Sequence, residues 1–339
     1  MSKNRKIALF CSCAGFGTYT PALLLKNELT VMGCECWIFV FENYLSGKTE
    51  SDFVEYRKRF HRNFRFAVMA SNLADVSAPQ ETNANLLEKD IIGLNFDSYI
   101  VLYGEWINAL KTIGIPGEKI LCVRLDAINT PSWNKTGNSE ALYDTIWLVG
   151  KDGNKPKYKL HMEMTEFCRK SLILHGGGWG INNYLAAADS IENRYELHII
   201  YSDKSECRGE HVEYYLPINW IPSYTHEDFP PLFNACSDTS VDFGNLCKNG
   251  CAIVSKPGGG SCIDALRYAL PLVMLEPMAK HELKNAELFE HLGFGINFKN
   301  WIENNYQYSI LNDIHSKIIA EMSDVPLLSE YICKGRCKL

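Results

Sequence analysis

Residues 251–264 read Cys-Ala-Ile-Val-Ser-Lys-Pro-Gly-Gly-Gly-Ser-Cys-Ile-Asp, and few folds accommodate such a run. An apolar segment of strand length ends at Ser255, Pro257 stiffens a turn, and three glycines leave the backbone free to adopt positive φ. Apolar residues at helical spacing follow at once (Ile263, Leu266, Ala269, Leu270), then a second apolar strand, Pro271–Leu275, and a second helix carrying His281, Glu282 and Asn285. This is a βαβ unit with its polar groups gathered where the strands end. The amides of the glycine turn and the positive end of the helix dipole favour an anion there, by about 0.3–1 kcal/mol in exposed geometry. Ser261-x-x-Asp264 also has the form of a capping box, in which the carboxylate reaches back to the helix start.

The chain of 339 residues exceeds the usual size of one core, and 46% hydrophobic with 22% charged residues is ordinary for a globular protein. The first half opens with strand Ile7–Cys11, loop Ser12–Thr20, helix Pro21–Met32 and strand Cys34–Val40; further buried runs are Phe66–Ala70, Ser98–Tyr103, Ile120–Leu125 and Thr145–Val149. Their continuity fits a parallel sheet covered on both faces. The polar segment Lys151–Lys159 reads as a linker. A second series starts with Lys170–His175, runs into Gly176-Gly177-Gly178-Trp179-Gly180, and continues with helix Ile181–Asn193, strands Glu196–Tyr201 and Val212–Leu216, a short helix near Phe229–Cys236 and the 251–275 unit. Two glycine turns on neighbouring parallel strands would face one crevice, where open α/β sheets bind nucleotides. For the Gly176–Gly180 turn alone, a tight strand-to-helix connection is an equal reading.

Net charge of -6 excludes a nucleic-acid-binding face, and the clusters Lys3–Lys6 and Arg57–Arg59 read as solvated surface. The thirteen cysteines lack zinc or secreted-scaffold spacing and read as reduced thiols of a cytoplasmic protein. No stretch reaches the length of a membrane span, which leaves only peripheral membrane contact.

The run Ser-Lys-Pro-Gly-Gly-Gly-Ser with Asp264, Pro-Leu-Val-Met-Leu-Glu-Pro and His281-Glu282-Leu283-Lys284-Asn285-Ala286 resembles the nucleotide-sugar glycosyltransferases of GT-B architecture. It looks like those that build glycolipids and the lipid-linked peptidoglycan precursor, and more distantly like small-molecule glycosyltransferases. The resemblance covers about residues 250–296 most closely. It implies an α/β protein of two Rossmann-like domains facing a central cleft: residues 1–155 for the acceptor, 156–305 for the donor, and a 306–339 helical segment crossing back to the first domain. It further implies a UDP-sugar donor, with Gly258, Gly259, Gly260 and Ser261 on the diphosphate and Asp264 on the ribose; Gly176, Gly177 and Gly178, as a second strand-to-helix glycine turn, would join them at the phosphates. His281 or Glu282 stands where the family places a sugar-binding glutamine, and Asn285 completes the donor set; Glu282 would suit an amino-sugar. No cofactor is called for, and the absence of an Asp-x-Asp motif accords with a metal-independent, inverting reaction.

Many family members carry a Gly-His-x-x-Pro loop whose histidine is the base. Here Thr18 stands in Gly17-Thr18-Tyr19-Thr20-Pro21, so another group must take the proton. Asp126 and Glu105, on loops after apolar strands, are the candidates, with Asp126 preferred; a salt bridge to Arg124 or a turn cap is its structural alternative. Hydrolysis or 2-epimerisation of a nucleotide-sugar, and a silent partner subunit, are the competing functional readings, and Thr18 favours the last.

Overall fold

The computed structural model describes residues 5–45, 50–137, 139–163, 167, 171–181, 183–191, 194–221 and 228–334. In the first half, strands β1 (Lys6–Cys11), β2 (Glu35–Val40), β3 (Ser98–Val101), β4 (Ile120–Arg124) and β5 (Asp144–Trp147) form one parallel sheet in the order β2-β1-β3-β4-β5. Ile7, Leu9 and Cys11 enter one core cluster while Ala8 and Phe10 enter another, so β1 is buried on both faces. That is why its sequence is continuously apolar rather than alternating. Around the sheet run α1 (Tyr19–Val31), α2 (Glu50–Arg62), α3 (Phe64–Val76), α4 (Ala84–Ile91), α5 (Trp106–Thr112), α6 (Pro131–Asn134) and α7 (Ser139–Leu142).

The second half holds β6 (Ser171–His175), β7 (Glu196–Tyr201), β8 (Val212–Tyr215), β9 (Leu232–Asn234), β10 (Ser240–Val241), β11 (Ala252–Ser255), β12 (Leu272–Met274) and β13 (Gly295–Asn297). Their order is β10-β9-β8-β7-β6-β11-β12-β13, parallel from β8 to β13, with β9 and β10 antiparallel at the edge. Its helices are α8 (Tyr184–Ile191), α9 (Phe243–Asn249), α10 (Gly259–Arg267), α11 (Lys280–Leu292), α12 (Phe298–Glu303), α13 (Tyr308–Met322) and α14 (Leu328–Cys333). The strand order reverses between β1 and β3 in one sheet and between β6 and β11 in the other. Loops leaving such paired strands diverge and open a crevice.

Three expectations are corrected. Phe66–Ala70 is not a strand but the middle of α3, which Asn63 caps by accepting from the Phe66 amide at 3.0 Å. A five-residue apolar run carries no period of its own, and the cap decides it. The helix expected near Phe229–Cys236 is β9: Pro230 and Pro231 offer no amide to continue a helix, and Leu232–Asn234 pairs with β8 instead. The Arg57–Arg59 cluster is not all solvated, because Arg57 is 2% exposed. The helix expected over 181–193 is observed as Tyr184–Ile191, with residues 182, 192 and 193 outside the described ones.

The segment after β5 is fastened rather than loose. Lys159 donates its amide to Pro326 O (3.0 Å) and its carbonyl accepts from Leu328 N (2.8 Å). From there α14 packs on the first half, with Ser329 Oγ donating to Glu28 (2.7 Å) and Tyr331 OH to Asp144 (2.7 Å).

Candidate functional site

A cleft of about 1290 Å³ lies between the halves, lined from the first by the loops after β1, β3 and β4 and from the second by the loops after β6 and β11. The two glycine turns therefore meet at one place, but their glycines do different work. Gly176 does not line the cleft; a Cβ there would stand 2.3 Å from Ile181 O, so its smallness closes the turn. Gly177, at φ +68°, faces the Lys256 side chain within the cleft. Gly178 abuts the other half, where an added Cβ would sit 1.8 Å from Gly15 O. Trp179 continues that contact, edge-on to Phe60 at 4.6 Å between ring centroids.

Helix α10 begins with Gly258 as N-cap, and no side chain caps its first turn. The expected capping box is not formed: Ser261 is already inside the helix, with its Oγ 3.3 Å from Ser255 Oγ. A first turn without a side-chain cap leaves its amides at the wall of the cleft. Gly258, Gly259, Gly260 and Ser261 all line it. Gly259 has a second reason to be glycine, since a Cβ would meet Leu125 O at 2.3 Å.

Beneath this turn Lys256 Nζ pairs with Glu282 Oε1, the side chains being 8% and 2% exposed. Glu282 Oε2 accepts from Met278 N at 2.7 Å. Burial pushes the Glu282 carboxyl up, but Lys256, His281 and these hydrogen bonds outweigh it and hold the group below the usual range. Glu282 is thus committed to the protein and is not a free acceptor for a sugar. His281, half-buried on the cleft wall, takes the exposed position of the two. Asn285 is also corrected: it is fully buried and does not line the cleft. Its amide donates to Asp126 Oδ1 (2.7 Å) and Pro257 O (2.9 Å) and accepts from Ala127 N (2.7 Å), tying the two halves together.

Asp264 lines the cleft, and its carboxylate makes no hydrogen bond or ion pair among the described residues. Burial pushes its carboxyl up to about 7, opposed by Arg267. That guanidinium is engaged elsewhere, with Glu163 and with Tyr268 OH at 2.8 Å. Asp264 is a carboxylate awaiting a donor of hydrogen bonds. Two further groups had no role in the sequence reading: Lys256, which brings a positive charge between the turns, and His175. His175 Nδ1 accepts from Gly177 N at 3.0 Å, which places its proton on Nε2. Burial, with Lys256 adding to it, drives its pKa to about 4, so the ring is neutral. Both stand next to glycine turns; for His175 that adjacency is the sequence signal, and Lys256 also belongs to the Lys-Pro-Gly-Gly run that carries the family resemblance.

On the first half, Thr18 is turned into its own loop. Its Oγ1 donates to Ser12 O (2.9 Å) and accepts from Ser12 N (2.8 Å), which braces the turn after β1. Asp126 is 8% exposed on the cleft wall, and Asn285 Nδ2 is its one hydrogen-bond donor among the described residues. The alternative salt bridge to Arg124 is absent from these residues; that guanidinium stacks 3.5 Å over the Trp133 ring. Glu105 is 3% exposed and accepts from Gln80 N (2.6 Å), Tyr103 OH (3.1 Å) and Lys135 Nζ (3.1 Å). Three donors thus engage the Glu105 carboxylate, against one on Asp126 among the described residues.

Helix α2 latches the halves. Arg57 donates to Cys13 O (3.2 Å) in its own half and to Trp220 O and Ile218 O in the other. His61 presents Nδ1 to Gly180 O and Nε2 to Glu206 Oε1 (2.5 Å), two acceptors that a doubly protonated ring satisfies together. Burial disfavours the charged ring, and Arg62 repels it, but Glu206 and the Gly180 carbonyl prevail and its pKa is raised. Stability from this latch is complete below the ordinary histidine pKa of about 6.5 and is lost as pH rises through the raised folded value. The melting temperature of His61→Gln should fall furthest below wild type near pH 6, the gap narrowing towards pH 9. A gap of constant size would remove the imidazolium from the latch.

No protein-family model matches the chain, and neither does any curated protein. Solved structures do match. The glycosyltransferase SnogD from Streptomyces nogalater aligns over 98% of this chain and 99% of its own, with TM-score 0.57 and 12% identity. The Streptomyces sp. SF2575 glycosyltransferase SsfS6, complexed with thymidine diphosphate, aligns over 98% and 99% with TM-score 0.56 and 13% identity. MurG of Acinetobacter baumannii aligns over 97% and 98% with TM-score 0.51 and 11% identity. At these identities the likeness is one of fold, and the fold of this chain is GT-B, two Rossmann-like α/β units across a cleft.

Proposed function

We propose that the protein is a glycosyltransferase that moves a sugar from a nucleoside-diphosphate donor to an acceptor seated against the first half. The observation that carries this reading is the pairing, on one cleft wall, of the uncapped α10 N-terminus with the unpartnered Asp264 carboxylate. The first suits a diphosphate and the second a ribose diol. Residues 1–155 would then hold the acceptor, 156–305 the donor, and the segment from 306 the return to the first half. SsfS6 was solved with thymidine diphosphate, which supports a nucleoside diphosphate as the ligand class here.

In this reading an acceptor O–H or N–H attacks the anomeric carbon while the bond from that carbon to the diphosphate oxygen breaks. Asp126 takes the acceptor proton, and the diphosphate leaves with the electron pair, stabilised by the α10 amides and the Lys256 charge. Direct displacement from the opposite face inverts the anomeric centre. Positioning and preorganised donors supply most of the rate.

A thermal-shift screen of UDP and TDP against the matching monophosphates, followed by turnover with the stabilising sugar nucleotide, tests the reading. Diphosphates should raise the melting temperature more than monophosphates. No shift with any nucleoside diphosphate, or free sugar formed with no acceptor present, would sink the transferase assignment.

Asp264→Ala should raise the donor KM about 10- to 100-fold, matching the loss of charged hydrogen bonds worth about 1.5–3 kcal/mol. The pH dependence has a definite sign. A ribose diol binds the ionised carboxylate, so wild-type donor affinity should fall as pH drops through about 7, and Asp264→Ala should lose that dependence. In the free protein the raised pKa works the other way: between the ordinary carboxylate range and about 7 the unfolded chain gives up this proton while the folded one keeps it, so stability falls with pH across that window and levels off above it.

A further inference from the structure

Cys34 and Cys333 stand 299 residues apart in sequence, and their sulfurs are 3.3 Å apart. Cys34 closes the turn into β2, its amide donating to Leu29 O at 3.0 Å. Cys333 is the last residue of α14. Both are free thiols, Cys34 buried and Cys333 half-exposed. Their approach is not a grazing one, because the structure holds each side in place. Arg5 Nη1 caps the end of α14, donating to Ile332 O (2.6 Å) and Cys333 O (3.1 Å), and Ser329 and Tyr331 of the same helix bond to Glu28 and Asp144. A disulfide bond of about 2.0 Å needs the sulfurs to close by only about 1.3 Å more.

We propose that Cys34 and Cys333 form a reversible disulfide that straps the C-terminal helix to the first half of the molecule. The oxidant class is a low-molecular-weight disulfide such as oxidised glutathione. The half-exposed Cys333 thiol loses its proton and attacks one glutathione sulfur, expelling a glutathione thiolate and leaving a mixed disulfide on Cys333. Cys34, deprotonated in turn, attacks the Cys333 sulfur and expels the second glutathione. Two protein thiols are oxidised and one glutathione disulfide is reduced to two thiols.

Burial, then the neighbouring Cys34 sulfur, push the Cys333 thiol up to about 12, so the reaction is slow at neutral pH and quickens as pH rises. The bond therefore reports sustained oxidation rather than a brief pulse. Its consequence is mechanical. Helix α13 belongs to the second half, where His315 Nδ1 lies 2.7 Å from Ala269 O, and α14 belongs to the first. The five residues from Ser323 to Leu327 that join the two helices bridge the halves, and the disulfide makes the far end of that bridge covalent. It also closes nearly the whole chain into one loop, the condition under which a cross-link restricts the unfolded chain most.

Incubation of the full chain with oxidised glutathione at about pH 8.5 for about a day tests this, the long exposure offsetting the small thiolate fraction that the raised Cys333 pKa leaves. Unreduced peptide mapping should find Cys34 joined to Cys333, and thiol titration should lose two groups per chain. The melting temperature should rise by about 5 °C or more, reverse with dithiothreitol, and stay unmoved in Cys333→Ser, which replaces a half-exposed sulfur without opening the core. Glutathione retained on Cys333, a bond from Cys34 to Cys36, a bond to Cys337 (outside the described residues), or no loss of thiols would each overturn the proposal.

Discussion

Asp126→Asn should lower turnover by about 100-fold or more while leaving the donor KM within a few-fold of wild type. Asparagine is the informative replacement because it keeps the shape and can turn its own oxygen towards Asn285 Nδ2, so the link to Pro257 and Ala127 survives. What it loses is the capacity to accept a proton. Single-turnover rates across pH separate the two effects: the wild type should show a limb for a group that must be ionised, and the variant should lack it. Glu105→Gln is the matched control. Its carboxylate is occupied by Gln80, Tyr103 and Lys135, so this change should disturb the loop after β3 without removing the limb. A near-normal rate in Asp126→Asn, with the limb lost in Glu105→Gln, would exchange the two assignments.

Lys256→Met is expected to destabilise the protein by about 3–5 kcal/mol, because it strands the Glu282 carboxylate in a site where that side chain is 2% exposed. Urea denaturation measures it. The double variant Lys256→Met, Glu282→Leu should recover most of the loss, since an apolar pair of similar volume needs no solvation. Donor binding should not recover with it, because the positive charge between the glycine turns stays absent. Recovery of both would reduce Lys256 to a structural ion pair; recovery of neither would mean that the buried carboxylate is not what the single variant exposes.

The parallel halves and both glycine turns were legible because strand, turn and helix follow one another within about a dozen residues, and glycine chemistry is local. That β6 and β11 are neighbours followed from the same logic, and the structure pairs Ile253 with Ile173. Illegible features depend on phase or on distance along the chain. Which of His281 and Glu282 is left unengaged is a matter of one residue's rotation about α11: both line the cleft, and Lys256 lying beneath takes Glu282. Asn285 reads as a site residue until its partners 158 and 159 positions away are known. Arg57 sits in a run of three cations that looks solvated, and only the carbonyls of Ile218 and Trp220 from the other half explain its burial. Asp264 shows the converse. Its spacing from Ser261 matched a helix cap, and the start of α10 three residues earlier than that box requires left the carboxylate without a side-chain partner among the described residues.

The Asn285 amide has a bearing on fidelity. One side chain holds both Asp126 of the first half and the Pro257 carbonyl of its own half, so moving the halves apart by a hydrogen-bond length frees Asp126 and Ala127 while the turn after β11 stays gripped. If, as proposed, Asp126 is the base and this turn cradles the leaving group, the two come into register only when the halves are closed. In that reading an open molecule would hold a sugar nucleotide with its base out of reach, so that water is not activated before an acceptor is seated.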